Sequence, residues 1–398
     1  MTLDGCQPVV LVVPSGELRL KSRRTRSRFR RVLRRNLQAA LMARGVEATV
    51  NDGRGRIMLE GDAHRAAKAA SEVFGIHRAS IARALGTTDL DALTHRAAAA
   101  SVDQVDGRTF AVRVRRRGRF PWPSQDAERR IGALLLPRSN GVDLERPETT
   151  VVVEVHDDES YLVDAEHSGP RGLPVGSQDP ALVLLSGGFD SAVATWRVLR
   201  RGVPVHFVHM ELACAQTDAA LAVASELTRR WAPGLDPTVW VLDFAEVRER
   251  LRSEVAPRYR QVRLKELMLR AADQLAEREE LPALVTGEAL GQVSTQTMGN
   301  LAVIDASARR PVLRPLIGDD KEDIVDEARR IGTYDLCART REVCDLVTDG
   351  PVATRARDDQ LGPAREAAPD KLAQRAVSDA WSFPLRTWAP GMTSPWAA

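Results

Sequence analysis

Leu184-Leu185-Ser186-Gly187-Gly188-Phe189-Asp190-Ser191 joins an apolar run to a segment of helical spacing through a turn of small residues. Upstream, Ala181 to Leu185 is continuously apolar, as expected of a parallel strand buried on both faces, and downstream Ala192 to Leu199 resumes with helical spacing. Between them Ser186, Gly187 and Gly188 let the backbone turn tightly and bring its N–H groups close to an oxyanion. Asp190 and Ser191 then open a helix whose N-terminus carries partial positive charge. Strand, anion-binding turn and helix in that order predict a Rossmann-like parallel α/β sheet around this segment.

The turn also narrows the chemistry. A P-loop NTPase would show G-x-x-x-x-G-K-[ST], and no Lys follows these glycines. S-G-G-x-D-S is instead the pattern of PP-loop pyrophosphatases, which cleave ATP between the α and β phosphates and adenylate a carbonyl oxygen so that a nucleophile can displace AMP. A Gly-Gly turn alone would fit many strand-helix junctions; several specified positions in the right context favour the ATP reading.

With 398 residues and 43% apolar content the chain can bury a large core, and its length suggests two or three domains. The longest early apolar run, Val9 to Val13, is too short for a membrane span or a signal segment, so a cytoplasmic protein with no membrane association is expected. Cys6, Cys214, Cys337 and Cys344 are too scattered for a disulfide framework, and without a C-x-x-C pair no metal site is expected.

A net charge of +3 hides an asymmetry: from Arg19 to Arg35 there are ten Arg or Lys residues and no acid. A second basic cluster, Arg113 to Arg119, lies on a strand-like segment. Such clustering is the electrostatic footprint of a polyanion, most simply nucleic acid. Phe29, Val32, Leu33, Leu37, Ala40 and Leu41 form the apolar stripe of an amphipathic helix whose other face the arginines would solvate; a merely solvated face mixes both signs, and this one does not.

Residues 1–80 alternate strand and helix, ending on Phe74-Gly75-Ile76, and residues 90–165 carry an Ala-rich helix, the basic strand, a helix near Gln125 to Leu135 and two more strands. Gly169 to Gly176 is a Gly/Pro linker, after which strands and helices alternate to about residue 350. The Pro- and Trp-containing end, after a helix near Arg365 to Ala380, is expected to be an appended tail.

Further stretches fall into order around the turn: Gly16-Glu17-Leu18 with Lys21, Gly172-Leu173-Pro174-Val175-Gly176, Thr286 to Thr297 (TGEALGQVSTQT) after the strand Ala283 to Val285, Leu313-Arg314-Pro315-Leu316 leading to Asp320-Lys321-Glu322, and Ile331-Gly332-Thr333-Tyr334-Asp335 before Cys344. With Phe74-Gly75-Ile76 they closely resemble the tRNA 4-thiouridine synthetase (tRNA sulfurtransferase) family, from residue 9 to about 356. The resemblance implies an N-terminal ferredoxin-like α+β unit (1–80), a THUMP α/β RNA-binding domain (81–166), a linker (167–176), a PP-loop ATP pyrophosphatase domain (177–356) and the tail (357–398). It implies ATP and magnesium as cofactors, tRNA as substrate, thiolation of uridine at position 8, and a homodimer.

In that family uridine O4, a poor leaving group, is first adenylated with release of pyrophosphate. Carried onto this chain, Ser186, Gly187, Gly188 and Ser191 would hold the departing phosphates, and Asp190 would organise the site or a magnesium ion. Lys321, which taken alone would read as an exposed helix-start lysine, would offset developing charge. Leu184, Leu185, His209, Met210, Lys265, Gly287 and Gln296 fall at nucleotide-binding positions, and Cys344 at the position of the essential sulfur-handling cysteine. A lone cysteine is usually a small buried apolar residue, and its charged neighbours leave its reactivity open.

Two departures stand out. Well-known members carry a C-terminal rhodanese domain, whereas about 54 residues follow Cys344 here, against roughly 100 for such a domain. Sulfur is therefore expected from a separate cysteine desulfurase, with Cys337 a candidate resolving thiol. Second, Lys265-Glu266-Leu267-Met268 has Glu266 where members show a second basic residue, which would weaken a phosphate or tRNA contact unless Arg263 and Arg270 compensate. The competing readings are a PP-loop sulfurtransferase of different specificity and a non-catalytic THUMP protein.

Overall fold

The computed structural model describes residues 7–53, 56–212, 217–340, 346, 352–367, 370–392 and 395. Two compact units emerge: one from residues 1–22 and 37–171, the other from 23–36 and 172–398.

The first unit contains β1 (Val9–Pro14), α1 (Gly16–Arg19), the C-terminal part of α2 (Arg23–Ala43), β2 (Ala48–Gly53), β3 (Arg56–Gly61), α3 (Ala63–Ala70), β4 (Ile76–Ala84), α4 (Leu90–Ala99), α5 (Val102–Val105), β5 (Phe110–Arg117), α6 (Ser124–Leu135), β6 (Thr149–His156) and β7 (Ser160–Ser168). Its strands form one seven-stranded sheet in the order β2-β3-β1-β4-β7-β6-β5. The join is β4 on β7, antiparallel from Arg78↔Ser168 to Ala84↔Tyr161. The segments expected to be ferredoxin-like and THUMP therefore share a continuous ladder. Alternation sends Val151, Val153 and Val155 into a core with Phe110, Ile131 and Leu135, while Glu154 and His156 point the other way.

The stripe of α2 is buried largely as its spacing predicts, with Phe29, Leu33, Leu37, Ala40 and Leu41 inside and Val32 half-buried. Arg23, Arg24, Arg26, Arg28, Arg31, Arg34 and Arg35 are exposed. The second basic cluster behaves differently from expectation. Arg115 is paired with Glu166 and, at 3.5 Å, with Glu154, Arg78 also engages Glu154, and Arg116 turns inward to Trp122 and Ser124. Burial opposes ionisation of Glu154, yet His156 and the guanidinium of Arg78 hold its carboxyl down at about 2. The charge of Arg115 is thus matched within the sheet, and the donors of Arg116 are turned away from solvent.

The second unit carries β8 (Ala181–Leu184), α7 (Phe189–Arg200), β9 (Val205–Glu211), α8 (Thr217–Trp231), β10 (Thr238–Asp243), α9 (Ala245–Glu254), α10 (Arg260–Arg278), β11 (Leu284–Val285), α11 (Met298–Asp305), β12 (Val312–Leu313), α12 (Lys321–Ile331), α13 (Tyr334–Arg339), α14 (Asp358–Ala367), α15 (Asp370–Ser378) and β13 (Trp381–Pro384). Its sheet runs β12-β11-β8-β9-β10-β13, all parallel except β13. The chain leaves β8 towards β9 and β10 on one side and returns to β11 and β12 on the other. The crevice at the carboxyl ends of β8 and β11 is therefore the switch point at which open α/β sheets bind ligands.

Each half of the Gly/Pro linker docks on its own unit: Arg171 N donates to Ile76 O, Leu173 N to Arg200 O and Gly176 N to Gly202 O. The expected tail is not an appendage. Two helices replace the single one anticipated, and β13 pairs antiparallel with β10 from Thr238↔Pro384 to Val241↔Trp381. Leu361, Ala373, Ala376 and Val377 join the core of α9, α10 and β10. The physical reason is that β10 would otherwise expose an unpaired edge, which β13 covers; its proline is tolerated because an edge strand needs no donor on its outer side.

Candidate functional site

At the end of β8 the backbone turns at Gly187, whose φ of +83° is the left-handed conformation that glycine adopts without strain. A Cβ there would also lie 2.9 Å from Cα of Ala220 on α8, so helix and turn pack too closely for any side chain. The turn is held by its own hydroxyls. Ser186 Oγ and Ser191 Oγ are 3.1 Å apart, Gly188 N donates to Ser186 Oγ at 3.3 Å, and Ser191 Oγ donates to Gly188 O at 3.1 Å. α7 begins at Phe189 with Asp190 in its first turn and Arg197 and Arg200 in its last, the charge order its dipole favours. Ser186 remains exposed at the mouth.

Asp190 is met by two distant residues. Lys321 Nζ, from the first turn of α12, donates to Oδ1 at 2.7 Å. Gln292 Nε2 donates to Oδ2 at 3.0 Å. Lys321 also sits 5.8 Å above the Phe189 ring, a cation–π distance. α12 is tied to α7 by Arg197, which donates from Nη2 to Glu327 at 2.7 Å, from Nη1 to the Pro315 carbonyl at 2.9 Å, and to Asp319. These bonds fix where Lys321 stands relative to the turn.

The segment after β11 packs on the same turn. A Cβ at Gly287 would fall 2.5 Å from the carbonyl carbon of Asp190 and 2.7 Å from Ser191 N, so only glycine allows this approach. Beside it, Glu288 accepts from Lys265 Nζ at 3.0 Å, Arg314 Nε at 2.8 Å and Thr286 Oγ1 at 3.2 Å. Burial pulls the Glu288 pKa upward, but Lys265 and Arg314 outweigh it and hold the carboxyl below the ordinary glutamate range. Gln296 is buried, and its backbone carbonyl accepts from Gly291 N at 2.9 Å.

On the other side of β8, Leu185 N donates to Val208 O at 2.9 Å, and the Leu185 carbonyl lies 2.8 Å from His209 Nδ1. Burial lowers the pKa of His209, so the neutral ring donates from Nδ1 and keeps an acceptor lone pair on a buried Nε2. Met210 is buried and Leu184 half-buried at the same strand ends. All the nucleotide positions expected from sequence thus lie at the carboxyl ends of β8, β9 and β11 or on the elements beside them.

Cys344 lies outside the described residues, as do Cys6 and Cys214. The chain on both sides of Cys344 is anchored at the site. Thr340 Oγ1 donates to Gly187 O at 3.1 Å. Asn300 Nδ2 donates to Ser294 O and Ala353 O, each at 2.8 Å, and Ala356 N donates to Asn300 Oδ1 at 2.8 Å. Leu346 is buried in the core.

Cys337 and Glu266 depart from expectation. Cys337 is buried on α13, and burial, reinforced by Asp190, pushes its thiol up to about 11; a protonated, enclosed thiol is a poor resolving nucleophile. Glu266 is fully buried and accepts from Arg365 Nε at 3.1 Å and Nη2 at 2.5 Å, with Arg263 Nη1 at 3.6 Å. It faces the interior, where its charge anchors α14 to α10, and makes no surface available to phosphate. Gln292, Glu288, Arg314 and Thr340 are the site residues that sequence reasoning did not single out. The first three stand inside the quoted motifs, whereas nothing in the sequence marks Thr340.

Comparison with known proteins gives a consistent picture. Residues 10–80 match the ThiI ferredoxin-like domain, 87–163 the THUMP domain, and 176–367 the family described as thiamine biosynthesis protein (ThiI). A relative from Aeropyrum pernix named "Probable tRNA sulfurtransferase" is 43% identical over 353 residues, 87% of this chain and 89% of that protein. A tRNA sulfurtransferase from Desulfurococcus amylolyticus is 39% identical over 378 residues, 94% of this chain and 78% of that one. Among solved structures, a 4-thiouridine synthetase in complex with RNA and bound ATP matches with a TM-score of 0.80 and 26% identity, covering 95% of this chain and all of that one.

Proposed function

The chain belongs to the tRNA sulfurtransferase family, and on that premise we propose that it converts a uridine of tRNA, at position 8, to 4-thiouridine in an ATP-dependent reaction. The observation that carries this reading is the meeting of Asp190 and Lys321 at the mouth of the Ser186–Ser191 turn, with the Gly287 backbone packed against the same turn.

ATP is seated with its phosphates on the N–H groups and hydroxyls of Ser186, Gly187, Gly188 and Ser191 at the start of α7. Leu184, Leu185, His209, Met210, Lys265 and Gln296 surround the nucleoside. Uridine O4 attacks the α-phosphorus and pyrophosphate leaves, the charge on the bridging oxygen being offset by Lys321. The terminal sulfur of a Cys344 persulfide then adds to C4 and AMP departs with O4. An external thiol attacks Cys344 Sγ, 4-thiouridine leaves as the thiolate, and a second thiol reduces the mixed disulfide left on Cys344, since Cys337 is enclosed.

Magnesium would be carried mainly by the nucleotide phosphates. Each oxygen of Asp190 accepts one hydrogen bond, from Lys321 or Gln292, and keeps a lone pair with which it would hold the ion; no group of three His, Cys, Asp or Glu able to hold a metal occurs among the described residues. An ion carried on the phosphates needs no dedicated protein cage.

The proposal includes a cysteine desulfurase as sulfur donor and a homodimer. A cytoplasmic location is part of the same proposal; no helix among the described residues is long and apolar enough to cross a membrane. Purified protein, unmodified tRNA and ATP should release pyrophosphate and, with a persulfide source, form 4-thiouridine. Cys344→Ala should retain tRNA-dependent pyrophosphate release while making no thiolated base. Wild-type protein that forms no 4-thiouridine under these conditions would refute the assignment.

A further inference from the structure

We infer that Gln292 is a positioning residue for Asp190, fixing the carboxylate against Lys321 so that the ammonium points at the reacting phosphate; this rests on the function proposed above. The two oxygens of Asp190 are divided between two elements 102 and 131 residues away: Gln292 Nε2 takes Oδ2 at 3.0 Å and Lys321 Nζ takes Oδ1 at 2.7 Å. The orientation of the Gln292 amide follows from chemistry. Turned the other way, its carbonyl would face a carboxylate and repel it, so only the NH2 end can point at Asp190.

The loop that carries Gln292 is braced for this task. Leu290 N donates to Ile317 O at 3.1 Å, Gly291 N to Gln296 O at 2.9 Å, and Gln292 N to Ala289 O at 3.4 Å. Ile317 leads towards α12 and Gln296 towards the nucleoside, so the loop holding Gln292 is connected to both sides of the site. Without the second hydrogen bond the carboxylate could rotate about χ2 and carry the flexible lysine with it. A displacement of the order of an ångström at a charge-stabilising group costs about 10- to 100-fold in rate.

Two variants separate this role from packing. Gln292→Met keeps the shape but cannot donate; its kcat for tRNA-dependent pyrophosphate release should fall about tenfold while KM for ATP stays within roughly twofold. Gln292→Glu sets a second carboxyl against Asp190. The pair cannot hold two negative charges cheaply, so one carboxyl titrates at raised pH and, once protonated, donates to the other. Lys321 faces the pair from α12. Cys337, in reach from α13, stays protonated because burial holds its thiol at about 11. The ratio of Gln292→Glu to wild-type kcat should therefore rise at least about tenfold between pH 8 and pH 6. A ratio flat across that range, or wild-type kcat in Gln292→Met, would overturn the positioning role. Wild-type enzyme that releases no pyrophosphate with tRNA would instead remove the proposed function, and this inference with it.

Discussion

Lys321 shows how a residue with an ordinary local setting becomes specific through its partner. In sequence it is the first residue of a helix, where a lysine is disfavoured by the dipole and would normally be solvated. In space it touches Asp190 and the Phe189 ring at the start of α7. The contact is partly exposed, with side-chain exposures of 43% for Lys321 and 23% for Asp190, so its worth to folding is at most about 1 kcal/mol. Its worth to a transition state that gathers negative charge is larger. Lys321→Met is expected to lower kcat for pyrophosphate release by about 100- to 1,000-fold and to leave the melting temperature nearly unchanged; a variant within threefold of wild-type rate would remove Lys321 from the chemistry. The loop residues Ser186 to Ser191 were legible in the sequence because each residue type answers a local demand of the turn. Gln292 and Glu288 were not, because what they do depends on Asp190, Lys265 and Arg314, which only the folded sheet brings to them.

At the scale of elements, the C-terminal segment changes the meaning of Glu266. Read along the chain, an acid replaces a base in a phosphate-facing stretch. In the fold, α10 turns that position inward and α14 supplies Arg365 as its counter-ion. The exchange of charge at one position is thus matched by a cation 99 residues away, and the two helices are joined by it. Arg365→Ala leaves a buried carboxylate facing Arg263 alone at 3.6 Å, which should destabilise the second unit by about 3 kcal/mol in denaturant unfolding, with Glu266→Gln in the same chain recovering part of the loss. An Arg365→Ala chain that unfolds at the wild-type denaturant concentration would show that α14 is held by packing alone. One helix near Arg365 to Ala380 could be anticipated where α14 and α15 stand, but β13 could not. It is four residues long, ends in proline and finds its partner in β10, well over a hundred residues earlier, so neither length nor composition announces it.

At the scale of the whole molecule the Gly/Pro linker marks where the long segment of the second unit begins, because a chain that must leave one core and enter another needs residues that turn freely, but nothing in the sequence sets apart residues 23–36, which group with that unit. The single seven-stranded sheet of the first unit was hidden, since its β4–β7 ladder is a non-local pairing. Charge distribution was half readable. The arginine run predicted a polyanion surface, and α2 does present Arg23, Arg24, Arg26, Arg28, Arg31, Arg34 and Arg35 to solvent with its apolar stripe buried. The β5 cluster looked equivalent in sequence but spends Arg115 on Glu154 and Glu166, which came from strands the sequence did not pair with it. The tRNA contact should therefore depend on α2 more than on β5. Each arginine facing a phosphate releases about one counterion when tRNA binds. Arg31→Glu with Arg34→Glu should then weaken tRNA binding at least about tenfold at low salt and reduce the slope of log K against log salt by roughly 2. At saturating tRNA, pyrophosphate release should stay within about twofold of wild type, because neither arginine belongs to the nucleotide site. Arg115→Ala should leave the salt slope as it was, since its charge is already compensated in the free protein. If the slope falls for Arg115→Ala and not for the α2 double variant, the RNA surface lies on the sheet edge and the exposed face of α2 is only solvated.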